Sequence, residues 1–478
     1  MATKEFWQMS AVEVAKATRS GELSAEAVTR STIDRMHAVN PSLNAVVADL
    51  SQEALERAHA LDKARNSGQD TGPLHGVPVT IKVNIDQVGW ATTNGITALK
   101  DAIATENAPI VQNLLDAGAV VIGRTNTPEF SFRADTDNPL HGRTHNPWGR
   151  HVSAGGSSGG AGSAVMAGIG ALAHGNDIGG SLRFPAAANG AVTVKPGLGR
   201  IAAWNPSQTA ERGALAQLMS VQGLITRSAA DLDLSMPTAM ANDPRDPFHV
   251  NMPFRQTPPS GPCKVAFCKD VPGFNVHDDV LKALDAAAEA LRDAGYEIEE
   301  KEPPHLKETA TIGYQALMGE VNALMFEDIR TNGSAQINQI FDEYFVQTPP
   351  FEGDDLLKMM AKRTYYAREW SLFLAEYPLI LSPFLPQPFF RPGRDTEGSE
   401  GVREAIGSAL WSYSMNFIGQ PAGNLPTRLA ELTQGTQPIN VQLIGQRWRE
   451  DMIVDAMMEI EKRIPPLCTA LWARMGES

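Results

Sequence analysis

Residues 154–185 read AGGSSGGAGSAVMAGIGALAHGNDIGGSLRFP, and this stretch decides how the rest of the chain is interpreted. It holds two glycine-rich runs, each with a serine, and a series of small apolar residues between them. Glycine lets a backbone turn sharply and approach a ligand closely, because it carries no Cβ. The apolar residues 164–173 are typical of a tightly packed helix, which we expect between the two runs.

Two other interpretations of this stretch are a flexible linker and a phosphate-binding loop. A glycine–serine linker would not continue into an apolar segment, nor repeat a glycine pair before a second serine. The common phosphate-binding loop has lysine and then serine or threonine after its glycines. Here Gly160 is followed by Ala161 and Gly162, so a catalytic turn fits the sequence better than either alternative.

The second glycine run has the composition of a turn that stabilises an oxyanion. Successive backbone N–H groups in such a turn could converge on one oxygen, as a tetrahedral intermediate requires. Ser181 would lie beside these donors and is therefore the predicted nucleophile. The predicted donors are the N–H groups of Ile178, Gly179, Gly180 and Ser181.

A serine nucleophile needs a base, and the sequence offers two candidates. Lys82 lies in an apolar strand predicted over residues 78–83, where burial would lower its pKa and leave a neutral amine. Periodicity alone leaves open that this lysine points to solvent. His174 is the second candidate, although a packed or surface histidine fits its position as well.

The rest of the chain alternates helical and strand patterns, which favours an α/β architecture. An amphipathic segment that begins at Pro109 leads through Gly118 to a predicted strand at 120–122, and the same order returns over 280–298. Other predicted elements are helices from residue 24 and over 52–64, within 303–400 and at 452–460, strands at 264–267 and 439–444, and a proline-rich connection at 240–262.

Composition bounds the function and the cellular setting. The formal net charge of -14 disfavours generic binding to nucleic acid, because an acidic surface repels phosphates. Three cysteines do not make a disulfide framework, and the ten histidines show no zinc-ligand spacing. The sequence lacks the pattern of a secretory signal or a membrane span. We therefore predict a cytoplasmic enzyme without metal or cofactor, which binds a small molecule rather than a membrane; a homodimer remains open.

Several motifs, spread over most of the chain, resemble those of the amidase signature family. They are Gly155–Gly160 with two serines inside the run, Asp177–Pro185, Gly76-Val77-Pro78 ahead of Lys82, Gly123–Phe130, Asn146-Pro147-Trp148, Val194-Lys195-Pro196 and Val441–Gly445.

This resemblance implies a single large α/β domain in which helices cover both faces of a central mixed, twisted sheet. It also implies a catalytic triad. Ser181 matches the nucleophile, Lys82 matches the base, and Ser157 matches a bridging serine whose preceding peptide bond is cis in the family. The oxyanion-hole positions match Ile178, Gly179 and Gly180.

The sequence departs from the usual family pattern at a few positions. Val83 replaces an aspartate that commonly follows the lysine, and Asn176 replaces a commoner threonine or serine. Gly197 and Leu198 stand where Thr-Tyr is frequent. None of these changes removes a triad member, but together they prevent the transfer of a substrate from any one relative.

The predicted activity is hydrolysis of a small carboxylic amide to an acid and an amine or ammonia through a Ser181 acyl-enzyme. The alternative is the glutaminase subunit of a tRNA-dependent amidotransferase, from which the chain departs at Thr127-Pro128 and at residues 216–219. A non-catalytic scaffold is a third possibility, which the presence of all three triad residues disfavours.

Four segments of the single domain are predicted to have separate tasks. Residues 1–65 form an N-terminal helical segment, 66–240 the catalytic core, 303–420 a variable substrate-pocket region, and 421–478 the closing strand and helix. A core position fits any single aromatic residue of the third segment better, but a few of them at the rim of the site would favour an apolar or aryl substrate. These residues are Tyr314, Phe326, Tyr344, Phe345, Trp370, Phe389, Phe390, Trp411 and Phe417.

Overall fold

The computed structural model describes residues 4–258 and 261–477, and these residues form one eleven-stranded sheet covered by helices. The strands, in chain order, are β1 Val46–Asp49, β2 Pro78–Lys82, β3 Val120–Thr125, β4 Leu172–Asp177, β5 Val192–Lys195, β6 Val221–Thr226, β7 Lys264–Phe267, β8 Glu297–Glu300, β9 Leu379–Pro383, β10 Ala422–Leu432 and β11 Gly435–Gly445.

The sheet is mixed, as the resemblance implies. Its strand order is β1-β3-β2-β4-β6-β5-β10-β11-β9-β7-β8. Strand β2 runs parallel to both of its neighbours, β3 and β4, whereas β4 pairs antiparallel with β6. At the other end of the sheet, β7 runs parallel to β8 and β9. The predicted architecture is confirmed.

The α-helices lie on both sides of this sheet. They are α1 Ala11–Ser20, α2 Ala25–Leu43, α3 Ser51–Asn66, α4 Pro109–Asp116, α5 Gly159–Met166, α6 Arg183–Asn189, α7 Ala214–Met219, α8 Ala229–Ala239, α9 Asp278–Asp293, α10 Leu306–Leu324, α11 Phe326–Asn332, α12 Ala335–Gln347, α13 Gly353–Glu376, α14 Gly398–Val402, α15 Leu410–Ile418, α16 Glu450–Glu461 and α17 Cys468–Glu477. A short π-helix spans Arg403–Gly407.

Three clusters of buried hydrophobic side chains hold the layers together, and the two larger ones lie on opposite faces of the sheet. Successive residues of a strand point to opposite faces, so neighbours along one strand enter different cores. In β4, Leu172 belongs to the core that contains residues of α4, α8 and α9, while Ala173 belongs to the core that contains residues of α5, α6 and α15. In β11, Leu443 belongs to the same core as Leu172, and Ile444 belongs to the same core as Ala173. Both faces of the central strands are therefore buried, and a polar side chain there must find an internal partner.

Several predicted elements are confirmed, and their local causes are visible. Helix α2 begins after Ser24, whose side chain accepts a hydrogen bond from the N–H of Ala27. Helix α4 begins with Pro109, at a position where no N–H is needed. The predicted connection over 240–262 contains no helix and no strand among the described residues, with residues 259 and 260 outside the described part.

The helix predicted over residues 164–173 is wrong. Helix α5 ends at Met166, and strand β4 begins at Leu172. Gly168 and Gly170 lie between them with φ angles of 89° and 83°, a backbone conformation that ends a right-handed helix. The apolar sequence reflects burial, since its residues are divided among all three clusters. A buried strand and a buried helix share that composition.

Close packing of α5 predicts the effect of a single methyl group. A Cβ at Gly160 would lie 2.4 Å from the backbone nitrogen of Asn126 and 2.7 Å from the carbonyl oxygen of Ala45. We expect Gly160→Ala to lower the free energy of unfolding by about 1–3 kcal/mol in urea denaturation, because backbone atoms must move apart. Gly476→Ala, in a helix with no atom within 4 Å of the added Cβ, is the control. Helix propensity alone predicts that both substitutions stabilise, by about 1 kcal/mol, so a stabilising Gly160→Ala would contradict the packing.

Candidate active site

The candidate site lies where β2 and β4 end. Parallel strands present their carboxyl ends at the same edge of a sheet, where α/β enzymes commonly bind ligands. Lys82 is the last residue of β2, and Asn176 and Asp177 end β4. Ser181 follows β4 by four residues, and Ser157 precedes helix α5. The fold thus brings together residues that are up to 99 positions apart in the sequence.

Lys82 is fully buried, and its amine contacts two side chains. Its Nζ lies 2.7 Å from Ser157 Oγ and donates to Asn176 Oδ1 at 2.8 Å. The alternative of a lysine that points to solvent is therefore wrong. Burial places the pKa of Lys82 well below its usual value, although the carboxylate of Asp177 acts in the opposite direction. A neutral amine is the form that can accept a proton.

His174 lies directly behind Lys82 and has both ring nitrogens engaged. Its Nδ1 faces the backbone N–H of Lys82 at 3.4 Å, and its Nε2 lies 2.9 Å from Gln222 Oε1. Burial lowers the pKa of His174 to about 3, so its ring is neutral near pH 7. The ring therefore contacts the backbone of β2 and the side chain of Gln222. Among the described contacts, neither of its nitrogens lies on a serine hydroxyl.

The loop that carries Ser157 is held by side chains from outside the motif. Thr136 Oγ1 donates to the carbonyl oxygen of Gly155 at 2.7 Å and accepts from the N–H of Gly159 at 3.1 Å. The Gly156–Ser157 peptide bond is cis, as the resemblance implies. A Cβ at Gly156 would lie 2.1 Å from the carbonyl oxygen of Arg133, which explains why a glycine occupies this position.

The turn between β4 and α6 closes around Asp177. Its carboxylate accepts from the N–H groups of Gly180 at 2.7 Å and Leu182 at 3.2 Å, and from Arg183 Nε at 3.0 Å. Asn416 on α15 donates to the same carboxylate at 2.9 Å. These contacts lower the pKa of Asp177 to about 2 despite its burial, with the Arg183 charge as the largest opposing cause. One carboxylate therefore ties the turn to α6 and to α15.

The four predicted oxyanion donors differ in whether their N–H groups already have an acceptor. The N–H of Gly180 is already donated to Asp177. Within the described part of the chain, the N–H groups of Ile178, Gly179 and Ser181 have no acceptor. In the same residues, the Ser181 hydroxyl has no hydrogen-bond partner. Gly180 has a φ of 129°, and a Cβ there would lie 2.5 Å from the Phe184 ring, so the turn needs glycine.

A cavity of about 300 Å³ opens over these groups, and both Ser157 and Ser181 line it. Its polar lining residues include Asn84, Asn94, Ser131, Asn176, Gln222 and Arg212. Its apolar lining residues include Phe132, Ile178, Leu317, Val321, Leu324 and Met325, the last four from α10 and the residue that follows it. Glu320 also lines the cavity, but its carboxylate accepts from the N–H groups of Leu215 and Ala216 at the start of α7.

Comparison with known proteins shows to which family this chain belongs. A family model described as amidase matches residues 27–454 of the chain. The indoleacetamide hydrolase of Bradyrhizobium diazoefficiens is 45% identical over 470 residues, which are 98% of this chain and 89% of that protein. This chain belongs to the amidase signature family.

Other members show the breadth of that family. A crystal structure of a bacterial aryl acylamidase superposes on this amidase with a TM-score of 0.81 at 26% identity, covering 98% of both chains. A glutamyl-tRNA(Gln) amidotransferase subunit of Carboxydothermus hydrogenoformans is 28% identical, over 96% of this chain and 98% of its own. The prediction of an amide hydrolase is confirmed, and the amidotransferase subunit is the more distant relative.

The substrate-pocket prediction for residues 303–420 needs correction in its details. Helix α10 does line the cavity, but it contributes aliphatic side chains. None of the nine aromatic residues singled out in this segment is among the lining residues in the described part of the chain. Many of them fill the core instead; Trp370 and Trp411, for example, pack edge to face. The aromatic lining residues of this amidase are Phe130 and Phe132, from the segment after β3.

Sequence reasoning missed several side chains that hold the site together. Asp177 and Arg183 belong to the quoted motif, yet only the structure shows that they form a buried ion pair. Thr136 and Asn84 lie far from the motif in sequence, and no local pattern distinguishes them. The sequence does show Asn176 in place of the commoner threonine or serine. In the structure, Asn176 is one of the two side chains that contact the Lys82 amine.

The described residues also bear on metal binding and on membrane association. Among residues 4–258 and 261–477, no group of three or more histidine, cysteine, aspartate or glutamate side chains is arranged to hold a metal ion. In the same residues, the helices are too short or too polar to cross a bilayer. The predictions of a cytoplasmic location and of a possible homodimer stay predictions.

Proposed function

We propose that this amidase hydrolyses a small arylacetamide, of which indole-3-acetamide is the model compound, through an acyl-enzyme on Ser181. The observation that carries the proposal is the contact of 2.7 Å between the buried Lys82 amine and Ser157, in a cavity that Ser181 also lines. The names of two relatives, an indoleacetamide hydrolase and an aryl acylamidase, support an aryl group.

The size and chemistry of the cavity support a small substrate. Its volume of about 300 Å³ lies at the lower end of the range for pockets that bind small molecules. Leu317 and Val321 give α10 an apolar surface toward the cavity, against which an aromatic ring can pack. The polar group of Asn176 and Asn84, which adjoins Lys82 and Ser157, would face the amide group. An arylacetamide offers a flat apolar ring to the surface of α10 and a carboxamide to these polar residues.

Acylation begins with the transfer of a proton away from Ser181. In the proposed mechanism, Ser181 Oγ attacks the carbonyl carbon while its proton passes to Ser157 Oγ, and the Ser157 proton passes to the neutral Lys82 amine. The carbonyl oxygen then carries a negative charge. The N–H groups of Ile178, Gly179 and Ser181, which have no acceptor in the described structure, are the proposed donors to this oxygen.

Collapse of the tetrahedral intermediate returns the proton. Lys82 donates through Ser157 to the leaving nitrogen, the C–N bond breaks, and ammonia or an amine departs. Water then attacks the Ser181 ester with Lys82 and Ser157 again acting as the proton relay. The carboxylic acid leaves, and Ser181 regains its proton. Each proton that moves is thus carried by Ser181, Ser157, Lys82, water or the substrate.

The choice of an aryl substrate is tested by comparing kcat/KM for indole-3-acetamide, phenylacetamide, acetamide and glutamine. We expect the two aryl compounds to exceed acetamide by roughly 10- to 100-fold, because burying an aromatic ring contributes about 1.5–3 kcal/mol. Equal or faster hydrolysis of acetamide would contradict the aryl assignment. Preference for glutamine would instead favour the amidotransferase-type activity.

A matched pair of substitutions locates the ring. Val321 lines the cavity and is 2% exposed, whereas Val346 on α12 is 70% exposed. Val321→Trp should raise KM for indole-3-acetamide and leave acetamide less affected, because the added ring occupies the space beside α10 where the aryl group is proposed to pack. Val346→Trp should change neither. Equal effects of Val321→Trp on the two substrates would place the aryl group elsewhere.

A further inference from the structure

Asn176 forms a reciprocal amide pair with Asn84 beside the lysine. Asn176 Nδ2 donates to Asn84 Oδ1 at 3.0 Å, and Asn84 Nδ2 donates back to Asn176 Oδ1 at 3.2 Å. Asn176 Oδ1 also accepts from Lys82 Nζ at 2.8 Å. The position at which this chain departs from the common hydroxyl residue therefore carries a built contact with the proposed base.

The hydrogen bonds beyond the pair form one network with the amide orientation that places Asn176 Oδ1 toward the lysine. Ser131 Oγ donates to Asn94 Oδ1 at 2.7 Å, lies 3.0 Å from Thr127 Oγ1, and accepts from Asn84 Nδ2 at 3.0 Å. In this network Asn84 has Nδ2 toward Ser131 and offers Oδ1 to Asn176. Asn176 then has Nδ2 toward Asn84 and Oδ1 toward Lys82, since the opposite arrangement would leave Asn84 Oδ1 without a donor.

This orientation has a consequence for a neutral amine. Such an amine has two N–H groups and one lone pair, whereas an amide oxygen is solely an acceptor. Asn176 Oδ1 can therefore take an N–H of Lys82 but can never occupy the lone pair. A hydroxyl group at the same position could donate to the lone pair and compete with Ser157. The asparagine pair removes that competition.

The charged and titratable groups around Lys82 act from other directions. Asp177 lies on β4 and attracts the ammonium form through space. His174, also on β4, contacts the backbone nitrogen of Lys82, and Arg124 on β3 donates to its carbonyl oxygen at 3.3 Å. Among the described residues, the hydrogen bonds of Nζ itself go to Ser157 and Asn176.

We propose that the Asn84–Asn176 pair is a positioning device, which binds one N–H of Lys82 and so directs the lone pair of the amine toward Ser157. The inference rests on the proposed role of Lys82 as the base. It assigns positioning roles to two residues, neither of which has to touch the reacting atoms. It also explains how this chain functions without the hydroxyl residue that is commoner at position 176.

The test measures how fast a fluorophosphonate probe labels Ser181 as a function of pH, because this rate reports activation of the serine without any choice of substrate. In Asn176→Asp, a carboxylate would lie beside Nζ and favour the ammonium form. The acid limb is the range of low pH over which the labelling rate falls as Lys82 gains a proton. We expect this limb to move to higher pH by about 1–3 pH units. Labelling near pH 7 should slow by roughly 10-fold or more and recover in alkaline solution.

A control variant and a second variant complete the experiment. Asn275 lies in a loop and does not line the cavity, so Asn275→Asp adds the same charge and should leave the limb in place. Asn84→Ala frees the Asn176 amide to rotate and should slow labelling by roughly 10-fold. If Asn176→Asp does not fold, as judged by circular dichroism, Asn84→Ala provides the decisive comparison.

The outcomes separate this inference from the proposed function. A limb that stays in place in folded Asn176→Asp, or one that moves equally in Asn275→Asp, would overturn the positioning role. Unchanged labelling of Asn84→Ala would do the same. If the wild type is labelled at Ser181 and shows the predicted shifts but hydrolyses no arylacetamide, the positioning role stands and the proposed substrate fails.

Discussion

Ser181→Ala should abolish amide hydrolysis, with kcat/KM falling on the order of 10⁵- to 10⁶-fold, as when a serine hydrolase loses its nucleophile. The fold should survive, because the Ser181 hydroxyl has no hydrogen-bond partner among the described residues and leaves none unpaired. Steady-state kinetics on indole-3-acetamide measures the first effect. Thermal unfolding measures the second, which should remain within about 0.5 kcal/mol of the wild type.

Ser42→Ala is the matched control for this loss. Ser42 is exposed, and its hydroxyl donates to the carbonyl oxygen of Val39, far from the cavity. It should retain wild-type kinetics. Substantial hydrolysis by purified Ser181→Ala would mean that another group attacks the amide, and the assignment of the nucleophile would be wrong.

Lys82→Ala should reduce kcat/KM for an amide by roughly 10³- to 10⁴-fold and for the matched ester by closer to 10²-fold. The difference arises because a leaving amine needs a proton, whereas an alkoxide leaves more easily without one. Burial lowers the pKa of Lys82, so its amine is neutral over a wider range than a free lysine. In the wild type, kcat/KM should fall on the acid side as Lys82 gains its proton, and should stay high in alkaline solution.

The pH profile also distinguishes Lys82 from two other buried groups. His174 has a pKa lowered to about 3 by burial, which places its titration below the expected limb. Lys195 has a pKa lowered to about 7 by burial, but its Nζ donates to the carbonyl oxygen of Pro196 and contacts no serine among the described residues. Lys195→Met should therefore keep the acid limb. A limb that persists in Lys82→Ala and disappears in Lys195→Met would move the base to Lys195.

Much of the site's chemistry can be predicted from the sequence because it is local or comes from recognisable motifs. Ser157, Ser181 and the glycines around them lie within a short stretch of chain, and the family resemblance singles out Lys82, whose orientation the periodicity of its strand leaves open. The structure places Lys82 against Ser157 and both serines on one cavity. Their catalytic roles stay predictions until the variants above are measured.

The rest of the site depends on contacts between distant segments, which no local pattern encodes. The start of β4 has the composition of a helix end, because burial on both faces removes the alternation that marks a strand. The engagement of the Gly180 N–H by Asp177 follows from a turn geometry that composition cannot give. The aromatic residues of 303–420 predict a pocket lining, yet an aromatic composition describes a core equally well.

The most direct test of the proposed mechanism is to trap the acyl-enzyme. Rapid acid quenching of the wild type during turnover of an arylacetate ester, followed by peptide mass spectrometry, identifies the residue that carries the acyl group. The mechanism predicts an arylacetyl group on the peptide that contains Ser181, and its absence from Ser181→Ala treated in the same way. An acyl group on another residue of the wild type, or the same labelled peptide from Ser181→Ala, would contradict the account.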